Sequence, residues 1–197
     1  LKLPATKPTY RGSTAPALDT PELQFTPGTT VAILGENGSG KSTLLRAIVG
    51  GQHHDWNGTV GRTMAVPQNP DLSLFCVDVE AELGFSPHEA QTKQAELKKL
   101  VSQVAAEFQL STHLHRAPQS LSRGQRGRLA IAASITGHPG VLALDEPTAG
   151  QNRTAIQALM EAVSSRMVNG LLIFATHDVE LACSFADRLL VLSKGRL

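Results

Sequence analysis

31-VAILGENGSGKSTLLRAIV-49 reads as a strand, a glycine-rich turn and a helix in immediate succession. The opening VAIL is wholly apolar, as for a strand buried on both faces of a parallel sheet. The middle, 35-GENGSGKST-43, matches G-x-x-x-x-G-K-[ST] in full and stands in the strand–loop–helix context that this motif requires. Glycines at 35, 38 and 40 allow backbone conformations that a side chain would block. The N–H groups of the loop then point inward around phosphate oxygens, and the following helix start adds positive potential. Asn37, Gly38, Ser39, Gly40 and Thr43 belong to this cradle. Lys41 brings a point charge to the outer phosphates, and the Ser42 hydroxyl is placed to bind Mg²⁺.

Outward from this segment, short apolar runs recur: 64-MAV-66, 141-VLAL-144, 171-LLIF-174 and 189-LLVL-192. Between them lie stretches of helical spacing, such as Ile156, Leu159, Met160, Val163 and Met167 in 153–168. Alternating strands and helices predict an α/β fold with a mostly parallel sheet. From about 69 to 138 the alternation stops, and no strand is evident. The expected organisation is therefore one domain, with a core of about 1–68 and 139–197 and an inserted all-helical subdomain of about 69–138. Within the insertion, Ser86, Pro87 and Glu89 read as N-cap, first helical residue and capping-box partner. The stripe Leu97, Leu100, Val101, Val104, Ala105 and Phe108 then carries one helix over 86–108, a structural part of the subdomain.

A second anchor is 141-VLALDEP-147, a buried strand that ends in two carboxylates where ligands bind in open α/β sheets. Asp145 is expected in the Mg²⁺ shell. Glu146, one residue on, points elsewhere and is expected to orient or deprotonate an attacking water.

Composition narrows the classes further. The chain has 197 residues, 41% of them hydrophobic, enough for a sizeable core. Eighteen Lys and Arg against 17 Asp and Glu leave a net charge of +1, so no basic field for nucleic acid is expected. No apolar run has transmembrane length. Two cysteines, Cys76 and Cys183, stand far apart and make neither a disulfide framework nor a zinc site. The start, 1-LKLPATKPTYRG-12, lacks the apolar centre of a signal peptide, and a cytosolic setting is expected. His53, His54 and Asp55 read as a solvated loop, and Cys76 as a small buried apolar residue.

Between the two anchors stands 121-LSRGQRGRLAIAASI-135, which closely resembles the signature segment of ATP-binding-cassette ATPases. The resemblance continues in order along the chain. Gln68 in 66-VPQNP-70 stands at the Q-loop glutamine, 147-PTAGQN-152 at the D-loop, and His177 in 175-ATHDVELACSFADR-188 at the switch histidine. Tyr10, 25 residues before Gly35, is where that family places an aromatic that stacks on adenine. A narrower likeness lies in 68-QNPDLSLFCVDVEAELGF-85, which resembles the energizing ATPases of energy-coupling-factor importers for vitamins and metal ions.

The resemblance implies ATP and Mg²⁺ as ligands and two cassettes facing head to tail. Ser122, Gly124 and Gln125 would contact the ATP held by the other cassette; a capped helix start with free N–H groups suits that task. Gln68 would join Ser42 and Asp145 at the Mg²⁺ and attacking water, and His177 would contact the γ-phosphate and align Glu146. An integral membrane transport subunit is the further implied partner, reached from the cytoplasmic face of the cell membrane. Leu72, Leu74, Phe75 and Val77 are either its docking surface or subdomain core.

Three departures stand out. Asn152 replaces the usual Asp of the D-loop, which puts cross-dimer coupling or hydrolysis rate in question. Arg123 replaces the commoner Gly of the signature. Only 27 residues separate Lys41 from Gln68, so 50-GGQHHDWNGTVGRT-63 is expected to be a trimmed antiparallel β region, like that of a second half in tandem cassettes. A piece of a longer two-cassette protein is thus expected. The competing readings are a weakly hydrolysing regulatory half-site and a soluble cassette protein outside transport.

Overall fold

The computed structural model describes residues 2–3, 5, 18–50 and 62–197. Tyr10, the His53–His54–Asp55 run and most of the expected antiparallel region over 50–63 lie outside the described residues. The described residues divide into two compact units.

The first unit comprises those within Leu1–Ala65, Gly140–Glu146 and Met167–Leu197. A short antiparallel pair, β1 (Lys2–Leu3) and β2 (Leu23–Gln24), precedes the main sheet. That sheet is built from β3 (Thr30–Leu34), β4 (Thr63–Val66), β5 (Val141–Asp145), β6 (Leu171–Thr176) and β7 (Arg188–Val191), in the order β4-β5-β6-β3-β7. β6 runs parallel to both β5 and β3, and β3 runs parallel to β7. Three of the apolar runs become the central strands because both of their faces are covered: β6 is buried at every residue, β5 at all but its last and β3 at all but its first. β4 and β7 end the strand order and are only partly buried. On one face Val31, Ile33, Val141, Ala143, Leu171 and Ile173 form a core with Leu44, Leu45 and Ile48 of α1 (Lys41–Gly50). The two-residue period of the strands puts Ala32, Leu142, Leu144, Leu172 and Phe174 on the other face, equally buried. This sheet presents the ends of β3, β5 and β6 side by side, and the loops that leave those ends carry the site.

The second unit comprises Val66–Pro139 and Pro147–Arg166. It is helical: α2 (Val79–Glu89), α3 (Gln94–Glu107), α4 (Arg123–Thr136) and α5 (Arg153–Arg166), with single 3-10 turns at Pro70–Leu72, Ser111–His113 and Pro118–Ser120. α5, joined to the sheet in the sequence reading, clusters here with the other helices. A bidentate pair from Arg166 to Glu107, two contacts of 2.8 Å, fastens it to the end of α3. Those hydrogen bonds hold the Glu107 carboxyl below its ordinary value, against an opposing effect of burial.

The single helix expected over 86–108 is corrected by the structure. Ser86 and Pro87 lie near the end of α2, and the chain breaks at Gln91, whose φ of 58° is left-handed. The operative start signal lies upstream. Asp78 Oδ1 accepts from the Ala81 N–H at 2.8 Å, and Glu82 Oε2 reaches back to the N–H groups of Phe75 and Cys76 at 3.0 and 2.8 Å. Pro87 lies inside the last turn of α2, where its missing N–H removes one helical hydrogen bond just before the helix ends. The stripe itself holds: Val101, Val104 and Ala105 of α3 are buried, with Phe108 just beyond it. Cys76 is half-buried rather than buried. Burial, then the Glu82 carboxylate, push its thiol up to about 11, so it stays protonated at neutral pH.

Candidate active site

The glycine-rich turn leaves β3 at Leu34 and enters α1 at Lys41. Gly38 and Gly40 have φ of 82° and 105°, conformations that side chains resist. Gly35 is fixed by space instead, since a Cβ there would sit 2.4 Å from the Leu192 carbonyl oxygen and 2.5 Å from Ser39 Oγ. The turn closes through the Ser39 N–H on the Glu36 carbonyl, 3.1 Å, and α1 begins with the Leu44 N–H on the Gly40 carbonyl, 2.9 Å.

Lys41 is only 6% exposed, and its ammonium is held on three sides. Nζ donates to the carbonyls of Gly35 at 2.8 Å and Glu36 at 3.2 Å, and lies 3.5 Å from Glu146 Oε1. A buried cation with carbonyl and carboxylate partners is satisfied without being locked. A triphosphate offers stronger acceptors at the same place.

Glu146 follows β5 in an unusual posture. Its φ of 49° is left-handed, a conformation that costs about 1–3 kcal/mol in a non-glycine residue and gathers at functional sites. Its N–H is anchored on the Ala175 carbonyl at 3.0 Å, so the turn is pinned to the end of β6. From there Glu146 Oε2 accepts from His177 Nδ1 at 3.0 Å. That bond puts the neutral ring's proton on Nδ1 and leaves Nε2 as an acceptor. His177 is 67% exposed, whereas Glu146 is 9% exposed, so the buried carboxylate is reached through a ring open to solvent. Asp145 Oδ1 is buried with no protein partner. An orphaned carboxylate oxygen beside a phosphate loop, with the Ser42 hydroxyl at the first turn of α1, is a hard-oxygen donor set that fits Mg²⁺.

The remaining sequence-predicted residues belong to the helical unit. Ser122 caps α4: its Oγ accepts from the Gln125 N–H at 3.3 Å, while Gln125 Oε1 accepts from the Ser122 N–H at 2.8 Å. Ser122 and Arg123 are exposed, so the helix start is open and the arginine at the usual glycine position meets solvent. Gly124 is buried, and its demand for glycine comes from within its own chain. A Cβ there would lie 2.9 Å from the Gly150 carbonyl oxygen and 3.0 Å from Gln151 Cγ. Replacing Gly124 with Ala is therefore expected to lower stability by about 1–3 kcal/mol and to displace the 147–152 turn, read as a fall in Tm and a change in the Gly150 amide resonance. Asn152 Oδ1 accepts from the Ala155 N–H at 2.9 Å and so caps α5, a task that an amide oxygen performs as well as a carboxylate. Gln68 lies exposed on the bend after β4, in the helical unit, whereas Lys41, Asp145, Glu146 and His177 share the other.

Sequence reasoning passed over three contributors. Gly150 meets Gly124; the signal was a glycine in each of two motifs that were read separately. Asp71 Oδ1 pairs with Arg126 Nε at 2.7 Å, a close ionic contact rather than an aligned hydrogen bond, and Arg126 also donates to the Leu121 carbonyl at 2.6 Å. His113 touches Gln125, with no sequence signal at all.

A family model described as ABC transporter matches residues 18–149. A Methanosarcina acetivorans protein named as an ABC transporter ATP-binding protein is 40% identical over 190 residues, 89% of this chain and 29% of its own length. The cobalt import ATP-binding protein CbiO of Rhodobacter capsulatus is 36% identical, over 92% of this chain and 71% of its own. Among solved structures, cbiO1 of Clostridium perfringens, part of the ABC transporter complex cbiONQ, superposes with a TM-score of 0.78 at 27% identity, covering 99% of this chain and 85% of that one. The chain thus spans about a third of the length of the first relatives it matches.

Proposed function

Because this chain belongs to the ABC transporter family, we propose that it is the ATP-binding and ATP-hydrolysing cassette of a membrane importer, of the energy-coupling-factor kind, for a metal ion or a vitamin. The observation that carries the reading is the line Lys41–Glu146–His177, with contacts of 3.5 and 3.0 Å. It sets an ammonium, a buried carboxylate and an imidazole at the ends of three neighbouring strands, which supports the roles of phosphate-binding cation, base and orienting ring.

The chemistry follows from these groups. The loop N–H groups over Asn37–Thr43 receive the β- and γ-phosphates, and Lys41 Nζ turns from its carbonyls to their oxygens. Glu146 accepts a proton from a water whose oxygen attacks the γ-phosphorus; the bond to the β-γ bridging oxygen breaks, giving ADP and phosphate. His177, bonded to Glu146 through Nδ1, keeps the carboxylate aimed and offers its other nitrogen to the γ-phosphate. Mg²⁺, when bound, would be held by Ser42 and Asp145 and would screen the charge on the phosphates.

A second cassette, from another copy or a sibling, completes the enclosure through Ser122, Gly124 and Gln125 of each on the ATP of the other. The exposed cap at Ser122 supports that reading, while Gly124 is buried and Gln125 half-buried. Binding closes the pair and hydrolysis releases it. The helical unit passes the movement to a membrane subunit. Leu72, Phe75 and Val77 support this contact, since they are 76%, 65% and 81% exposed; Leu74 is buried and belongs to the unit's own core. No helix among the described residues is long and apolar enough to cross a membrane, and the proposed place is peripheral, on the cytoplasmic face. The name of the cobalt-import relative supports the metal-ion side of the substrate reading.

Reconstituted with its membrane partners in vesicles, the protein is expected to drive ATP-dependent uptake of cobalt, nickel or a vitamin. Co-purification with ribosomes or DNA, with no uptake of any of these, would point instead to a cassette outside transport.

A further inference from the structure

We propose that His113 is a positioning residue for the start of α4: its Nε2 accepts a hydrogen bond from Gln125 Nε2 and holds the Gln125 amide in the one orientation that serves Ser122. The inference rests on the reading of Ser122, Gly124 and Gln125 as the face offered to a second cassette's ATP.

Hydrogen-bond logic sets every proton in this relay. The Ser122 N–H can only donate, and Gln125 Oε1 lies 2.8 Å from it, so the amide oxygen faces Ser122. The amide nitrogen then faces the ring 3.0 Å away, and it too can only donate. His113 Nε2 must therefore carry a lone pair, and the ring is neutral with its proton on Nδ1. Turning the amide over would set two donors against each other at Ser122.

Nδ1 is buried and has no hydrogen-bond partner. A stranded polar atom is a standing cost. Leucine or phenylalanine would fill the place without it, and what either would lose is the acceptor toward Gln125. The ring is held firmly enough to serve. Its residue ends the 3-10 turn Ser111–His113, with its own N–H on the Leu110 carbonyl at 2.8 Å and its carbonyl taking the Arg116 N–H at 2.9 Å. Leu110 is fully buried, so the turn is anchored in the unit's core. The relay thus runs from a packed turn, through a ring and an amide, to the exposed N–H of Ser122.

Two variants separate positioning from packing. H113F keeps a ring and removes the acceptor; H113Q returns an amide oxygen near the place of Nε2. Amide hydrogen exchange at Ser122 is expected to be about fivefold faster in H113F and to return within about twofold of wild type in H113Q. In the assembled transporter, kcat/KM for ATP should fall about fivefold in H113F and recover in H113Q. Unchanged exchange at Ser122 in H113F, or an H113Q no better than H113F, overturns the role of His113. An assembly carrying K41A that hydrolyses ATP like the parent sinks the underlying reading instead.

Discussion

Glu146→Gln is expected to cut ATP turnover by about a hundredfold or more while ATP binding is retained. The substitution keeps the volume of the side chain and an oxygen for His177 Nδ1, so the left-handed turn and its anchor on Ala175 survive. What disappears is the group that takes the proton of the attacking water, and such a base contributes about 10²–10⁴ in rate. The charge change works in the same direction. Glu146 Oε1 lies 3.5 Å from Lys41 Nζ and competes with a triphosphate for it, so its neutralisation leaves the cation freer for ATP. Turnover by the assembled transporter and ATP affinity by titration together check this. A variant with more than half of the parent's turnover would remove Glu146 from the mechanism.

Lys41→Ala should act on the other side of the same pair. The ammonium is the charge aimed at the phosphates, and hydrogen bonds to charged groups are worth about 1.5–3 kcal/mol each, so ATP affinity is expected to drop by about ten- to a hundredfold. Turnover should vanish with it. A structural penalty comes too, because Glu146 is 9% exposed and would lose its cationic neighbour, while the carbonyls of Gly35 and Glu36 would lose their donor. Measuring Tm with and without ATP separates the two effects: ATP should raise the parent's Tm and leave that of the variant nearly unmoved. An ATP affinity within twofold of the parent would contradict the placement of Lys41 on the phosphates.

Residues that report on a local rule were legible from the sequence. The apolar runs 141-VLAL-144 and 171-LLIF-174 have the length and all-apolar pattern of two-sided strands, and they are β5 and β6. The loop at 35–43 was legible because its glycines answer to φ and to space, both local properties. The start of α2 was misplaced because two capping signals compete within nine residues, and Ser86–Pro87 looks stronger on paper. The structure chooses Asp78 with Glu82, because Glu82 satisfies two N–H groups upstream that would otherwise lack partners. The contacts between motifs were illegible for a different reason. Gly124 with Gly150, and His113 with Gln125, depend on which helices share a unit, and no periodicity encodes that.

The contact between Gly124 and the Gly150 carbonyl has a bearing on anyone who builds hybrids of such proteins. With less than 3 Å left for even a methyl group, the two backbones have been fitted to each other like a key cut for one lock. Grafting residues 121–126 from a cousin with any side chain at position 124, while leaving 147–152 native, would jam the fit, however faithfully each nucleotide-touching side chain were copied. The two pieces have to be transplanted as a set.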